Sequence, residues 1–191
     1  MNEPTIIPSL DQLKALTHPA RTRMLGILRV NGPATATMLA ARLGINSGAT
    51  SYHLRQLAQH GFIVDDEERG NGRERWWTAA HRMTQTDGDQ LPDNEDAREA
   101  YDAYLQVVVS NYAEIIQRSV EERAMLPDEW RETTTYSDWV TRLTPAKAIE
   151  ARERIMALLS ELEDDPDGEP FTFQLNAFPL PGQLGGDPEA D

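Results

Sequence analysis

Residues 46–64 read Asn46-Ser-Gly-Ala-Thr-Ser-Tyr-His-Leu-Arg-Gln-Leu-Ala-Gln-His-Gly-Phe-Ile-Val64, and the reading of this stretch decides the fold. Thr50, His53, Leu54, Leu57 and Ala58 recur at helical spacing on one side, with Leu43 and Ile45 leading in, which predicts a helix over 47–59. Asn46 or Ser47 caps its start, and Gly61 follows its end, where a left-handed residue closes helices. Ser47, Gly48, Ser51, Tyr52 and Arg55 share the opposite side: short side chains, then a phenol, then a guanidinium. A helix that enters the DNA major groove needs one buried face and one small or polar face that approaches base edges. Spacing alone does not separate this helix from an ordinary amphipathic surface helix.

Its surroundings tip that balance. Upstream, Leu10, Leu13, Ala15 and Leu16 predict a short helix that stops at His18-Pro19, and a second helix runs from Pro19 to Asn31-Gly32-Pro33. Thr35 caps a third, which carries Met38, Leu39 and Leu43 and closes at Gly44. Downstream, Phe62–Val64 reads as a strand, 67–72 as a turn and Arg73–Thr78 as the returning strand. Arg69, Arg73 and Arg75 crowd that Gly-rich hairpin, where they can reach phosphate or the minor groove, although Glu67, Glu68 and Glu74 dilute their charge. Arg21, Arg23, Arg29 and Arg42 add a diffuse basic field, while Trp76 and Trp77 read as packing residues. The order helix, helix, helix-turn-helix, hairpin predicts a mainly α (α+β) fold, a winged helix-turn-helix with a small β-hairpin wing.

Three strings in this region carry a resemblance: His-Pro-Ala-Arg (18–21), Ser-Tyr-His-Leu-Arg-Gln-Leu (51–57) and Gly-Arg-Glu-Arg-Trp-Trp (72–77). With Ala-Arg-Leu-Gly-Ile (41–45) and Gly-Phe-Ile-Val (61–64), residues 13–77 resemble the ArsR family of winged helix-turn-helix transcription regulators. That resemblance implies a homodimeric repressor of double-stranded DNA. It places Ser47, Gly48, Ser51, Tyr52 and Arg55 on the DNA-reading face and Arg73 and Arg75 on the wing, beside Arg69. Many relatives sense metals through a cysteine pair in the third helix. Here Thr-Ala-Thr-Met (35–38) stands in its place, so metal and thiol sensing are not expected.

The domains expected are a DNA-binding unit over 10–83, an acidic linker over 84–96, a helical C-terminal region over 97–178 and a Pro/Gly-rich tail over 179–191. A long helix from about Asp96 to Met125 carries Tyr101, Leu105, Val108, Tyr112 and Ile115 at alternating spacings of four and three, a stripe that suits dimerisation. Val107, Val109, Ile116 and Val120 widen it. A last helix is expected from Thr144-Pro145 to about Leu162, and Phe171–Phe178 alternates as a strand would. The aromatic residues of this half, Trp130 and Trp139 among them, suit either a dimer core or the wall of a pocket for a small organic effector. Dimer packing is the preferred reading.

The chain of 191 residues is 39% hydrophobic and 26% charged, as globular proteins are, and has a net charge of −14. That charge is unevenly spread. Residues 1–83 hold ten Lys+Arg and seven Asp+Glu, a balance of +3, whereas 84–191 hold eight and twenty-five, a balance of −17. Such asymmetry suits one part that meets nucleic acid and another that does not. Cysteine is absent, which rules out disulfides, thiolate metal sites and cysteine nucleophiles. Met1-Asn2-Glu3-Pro4 has neither a basic nor an apolar leader, and no segment approaches the ~20 apolar residues of a membrane span, so a cytoplasmic protein is expected. No nucleophile elbow, phosphate loop or clustered His/carboxylate set suggests an enzyme, and neither a cofactor nor a metal is expected. His53 reads as part of the helix-turn-helix core. The competing class is a winged helix that binds a protein partner without DNA, and such a module would more often carry exposed leucines or carboxylates where Ser47, Ser51, Tyr52 and Arg55 stand.

Overall fold

The structure, a computed structural model, describes residues 5–69, 74–86 and 91–184. It opens with strand β1 (Thr5–Ile6), helix α1 (Leu10–Leu16) and helix α2 (Pro19–Asn31). Strand β2 (Ala34–Thr35), helix α3 (Ala36–Leu43) and helix α4 (Ser47–Gln59) follow, then strands β3 (Ile63–Asp65), β4 (Trp76–Ala79) and β5 (Met83–Thr84). Helix α5 (Glu95–Glu122) runs into a 3-10 turn at Arg123–Met125, and α6 (Asp128–Thr133) and α7 (Pro145–Ser160) complete the helices. The chain divides into two compact units, Met1–Ala124 and Met125–Asp191.

Each helix of the first unit starts where a side chain can take up its free amides. Ser9 and Gln12 form a reciprocal capping box on α1, Thr35 Oγ1 accepts from Met38 N, and Asn94 Oδ1 accepts from Ala97 N at 2.9 Å. Gly44 and Gly61, at φ +65 and +76°, turn the chain out of α3 and away from the end of α4 in the left-handed region that favours glycine. The result is the winged helix-turn-helix: a mostly helical unit with a small antiparallel sheet in the order β2-β4-β3. Ile63 faces Ala79 and Asp65 faces Trp77 across one pair, and Ala34 faces Trp77 across the other.

Leu13, Leu16, Met24, Leu28, Leu39, Leu54, Leu57, Phe62 and Ile63 form the centre of one core and are almost fully buried. Truncating any of these leucines to alanine costs about 2–5 kcal/mol in cores of this kind. The first half of α5 closes this core from outside. Ala97, Ala100, Tyr104 and Val107 are buried, and Tyr101, Leu105 and Val108 are half-buried and packed against it. Lys14 Nζ meets Asp96 at 2.7 Å, and Arg23 pairs with Glu114. Both pairs are exposed, so the apolar face and not the charges holds the helix.

Three local readings differ from the sequence. Strand β1, ahead of the first expected helix, pairs in parallel with β5 (Thr5 with Met83, Ile6 with Thr84), so Thr84 is strand and not linker. Ala34–Thr35 is strand as well as helix cap. Two-residue strands carry no period and so leave no signal in sequence. Phe171–Phe178 is not a strand, because no second segment pairs with it among the described residues. Of the expected turn and returning strand, 70–73 lie outside the described residues, as do 87–90 of the expected linker and 185–191 of the expected tail.

Candidate nucleic-acid interface

The interface is built on α4. Thr50, Leu54 and Leu57 are its buried face, and Thr50 Oγ1 donates back to Asn46 O at 3.0 Å. Asn46 is the cap: its Oδ1 accepts from Gly48 N at 2.7 Å and Ala49 N at 3.3 Å. A Cβ at Gly48 would stand 3.0 Å from that oxygen, so the glycine keeps the cap in place as well as thinning the helix surface. At the other end Gln12 Nε2 donates to His60 O at 2.9 Å, tying the last turn to α1. The helix is therefore anchored at both ends, and its outer face is free to act. Ser47, Gly48, Tyr52 and Arg55 are exposed there and Ser51 is half-buried, with Tyr52 54% exposed.

The arginines divide into two sets. On the wing, Arg75 Nε lies 2.8 Å from Asp65 Oδ2 and its guanidinium stands 5.2 Å from the Trp77 ring centre, while Arg69 Nε lies 3.3 Å from Asp66 Oδ2. These charges are half spent inside the protein. Arg73 lies outside the described residues. On the helix side Arg21, Arg42 and Arg55 have no ion-pair partner among the described residues. Arg29, read as part of the diffuse basic field, is half-buried and turned inward instead. It donates to His81 O at 2.9 Å and Thr84 Oγ1 at 2.8 Å, and burial lowers its pKa to about 10 against the opposing influence of Tyr104 and Tyr112.

A second cluster adjoins the reading face and was not apparent from spacing. His18 caps α2 by accepting from Ala20 N at 3.2 Å through Nδ1. Its ring centre lies 4.3 Å from that of His53, which in turn lies 5.5 Å from Tyr52. Arg21, one turn into α2, is close enough to feel Tyr52 electrostatically. Burial, then His18, then Arg21 hold the His53 imidazole below its ordinary pKa, and burial lowers that of Arg21. Only the His-Pro-Ala-Arg string hinted at this group, since the approach of α2 to α4 is tertiary.

Of the expected dimerisation stripe, Tyr101, Leu105 and Val108 meet the core of their own chain, Tyr112 is half-buried and Ile115 is exposed. Pro8, Leu13, Thr86, Leu91 and Tyr101 line a shallow open cleft that encloses no volume of the size a small molecule needs. No three His, Cys, Asp or Glu side chains gather as a metal-holding group among the described residues, and no helix there is long and apolar enough to cross a membrane.

No curated protein is a match for the chain. The family model described as a helix-turn-helix domain matches residues 16–65, from the last residue of α1 to the last of β3, so the unit built around α4 carries a helix-turn-helix domain of the kind found in DNA-binding transcription regulators.

Proposed function

We propose that this protein is a transcription regulator of the ArsR type, a homodimeric repressor that reads an inverted repeat in double-stranded DNA with α4 and steadies it with the wing. The observation that carries the reading is α4 itself, whose outer face presents Ser47, Gly48, Tyr52 and an unpaired Arg55 above a fully packed inner face. Short side chains let the backbone approach the groove, and a guanidinium makes the bidentate contact to guanine that is the commonest specific contact. Arg69 and Arg75, with Arg73 beyond the described residues, serve phosphates rather than bases.

Pairing of two copies would fall first to the distal half of α5. Ile115, Ile116 and Val120 are exposed there, and no residue of 125–184 is buried within its own chain. Within the expected dimerisation region 97–178 the distal half of α5 would thus supply the main contacts, and any small organic effector would bind in a pocket that the second copy completes. In a dimer of this kind the half-site centres lie about one helical turn, or a multiple of it, apart. The test is fluorescence anisotropy with the DNA upstream of the protein's own coding sequence against a scrambled duplex, at two salt concentrations. Preference for the upstream duplex with affinity that falls steeply in salt is expected. Equal absence of binding to both at low salt would point instead to a protein partner.

A further inference from the structure

Arg21, His18 and His53 lie together at the flank of the proposed reading face. Arg21 makes no hydrogen bond or ion pair among the described residues, and its Nε is buried without a partner. His53 Nδ1 is likewise buried and unpartnered. Arg23, Arg75 and Lys14 are matched with Glu114, Asp65 and Asp96, whereas Arg21, like Arg42 and Arg55, has no acid among the described residues, and of these three it alone buries an unpartnered nitrogen. The ring of Tyr52, which belongs to the reading face, packs against His53 and so makes the cluster continuous with that face.

We propose that Arg21, His18 and His53 form an anchor for a DNA backbone phosphate, and that the anchor takes up a proton as the phosphate docks. The proposal rests on the DNA-binding reading above. His18 Nδ1 already accepts the Ala20 amide as the cap of α2, whereas Nδ1 of His53 has no hydrogen-bond partner. The added proton therefore falls to His53. The charges that bear on it are His18 and Arg21 from α2, with the Tyr52 ring beside it on α4, while Arg42 of α3 and Asp65 of β3 exert no comparable influence. Burial, then His18 and Arg21, hold the His53 imidazole below its ordinary pKa in the free protein. A phosphate on Arg21 offsets that positive field, and the imidazole charges more readily. By linkage, a group that binds its proton more tightly in the complex makes the complex tighter as pH falls through the ordinary histidine range.

The experiment uses the full chain and a random-sequence duplex, measured by anisotropy at about pH 7.5 and about pH 5.5, with wild type, Arg21→Gln, His53→Gln and His18→Asn compared. His18→Asn keeps an acceptor for the Ala20 amide, and circular dichroism checks each fold. Wild type should gain about tenfold more affinity on acidification than His53→Gln does, because protonation of carboxylates raises both alike. Arg21→Gln should weaken binding about tenfold at both pH values and lower the salt slope by about one. His18→Asn should retain the pH response, since the proton resides on His53. The NMR titration midpoint of His53 should rise when duplex is added. If wild type binds and Arg21→Gln binds equally well, or the His53 midpoint stays put, the anchor is wrong and the DNA-binding reading stands. If wild type binds no duplex at either pH, both fall.

Discussion

Arg55 and Arg75 carry the same charge, and what distinguishes them is the company each keeps. Arg55 stands exposed on α4 with no ion pair among the described residues, whereas Arg75 is clamped between Asp65 and the Trp77 ring. On the proposed function, phosphate would have to compete with Asp65 for Arg75, whereas base edges would meet Arg55 unopposed. Arg55→Ala should therefore cost about 1–3 kcal/mol on the preferred duplex and relax its preference at one base position, as competition with scrambled duplexes would read. Asp65→Asn should do the reverse of a loss: it frees Arg75 and removes a negative charge from the wing. Non-specific affinity at low salt should rise several-fold, and the gain should shrink as salt screens it. Unchanged binding in Asp65→Asn would mean that the wing stays off the phosphates.

At the scale of elements, α5 is the piece whose role shifts most once packing is known. Its stripe of apolar residues reads equally well as a face for a second copy or for its own domain, because period reports that a face is covered and not what covers it. The structure spends Tyr101, Leu105 and Val108 on the core of the same chain, with Tyr104 buried beneath. Burial above all, with Tyr112, pushes the Tyr104 phenol up to about 12 from its ordinary 10.0. Its folded pKa is raised, so the linked stability is complete below about pH 10 and is lost as pH rises towards 12, by up to roughly 2–3 kcal/mol. Denaturant titrations across that range should show the loss, and Tyr104→Phe should flatten it. The helices other than α6, which has no side-chain cap, were legible in the sequence because capping side chains and glycines mark them: Pro19, Thr35, Asn46 and Gly61 stand at their ends. The outer face of α4 was legible for the same reason. The β1–β5 pair, the contact of His18 with His53 and the clamps on Arg69 and Arg75 were not, since each joins residues far apart in sequence or sets a side chain against a neighbour that periodicity does not weigh. The alternation of Phe171–Phe178 misled because a strand needs a partner as well as a pattern.

Across the whole molecule, packing and charge are both lopsided. Among the described residues every buried hydrophobic one falls between Leu13 and Val107, while residues 125–191 hold five Lys+Arg and fifteen Asp+Glu, a balance of −10. That part gains nothing from its own interior: Trp139 is 89% exposed, and Phe171, Phe173 and Phe178 lie open with it. Two copies that met through so acidic a surface would pay in repulsion, whereas the distal end of α5 offers Ile115, Ile116 and Val120 on a helix held rigid by its docked first half. The dimer should therefore survive removal of everything after Ala124. A protein of residues 1–124 is expected to unfold cooperatively at nearly the denaturant midpoint of the full chain, since no buried residue is removed, and to sediment as a dimer. Ile115→Asp with Ile116→Asp should then give a folded monomer, with affinity for an inverted repeat falling to that for a single half-site. If the shortened chain is monomeric while the full chain is dimeric, the contact between copies lies in residues 125–191, and the exposed aromatic residues there are its core.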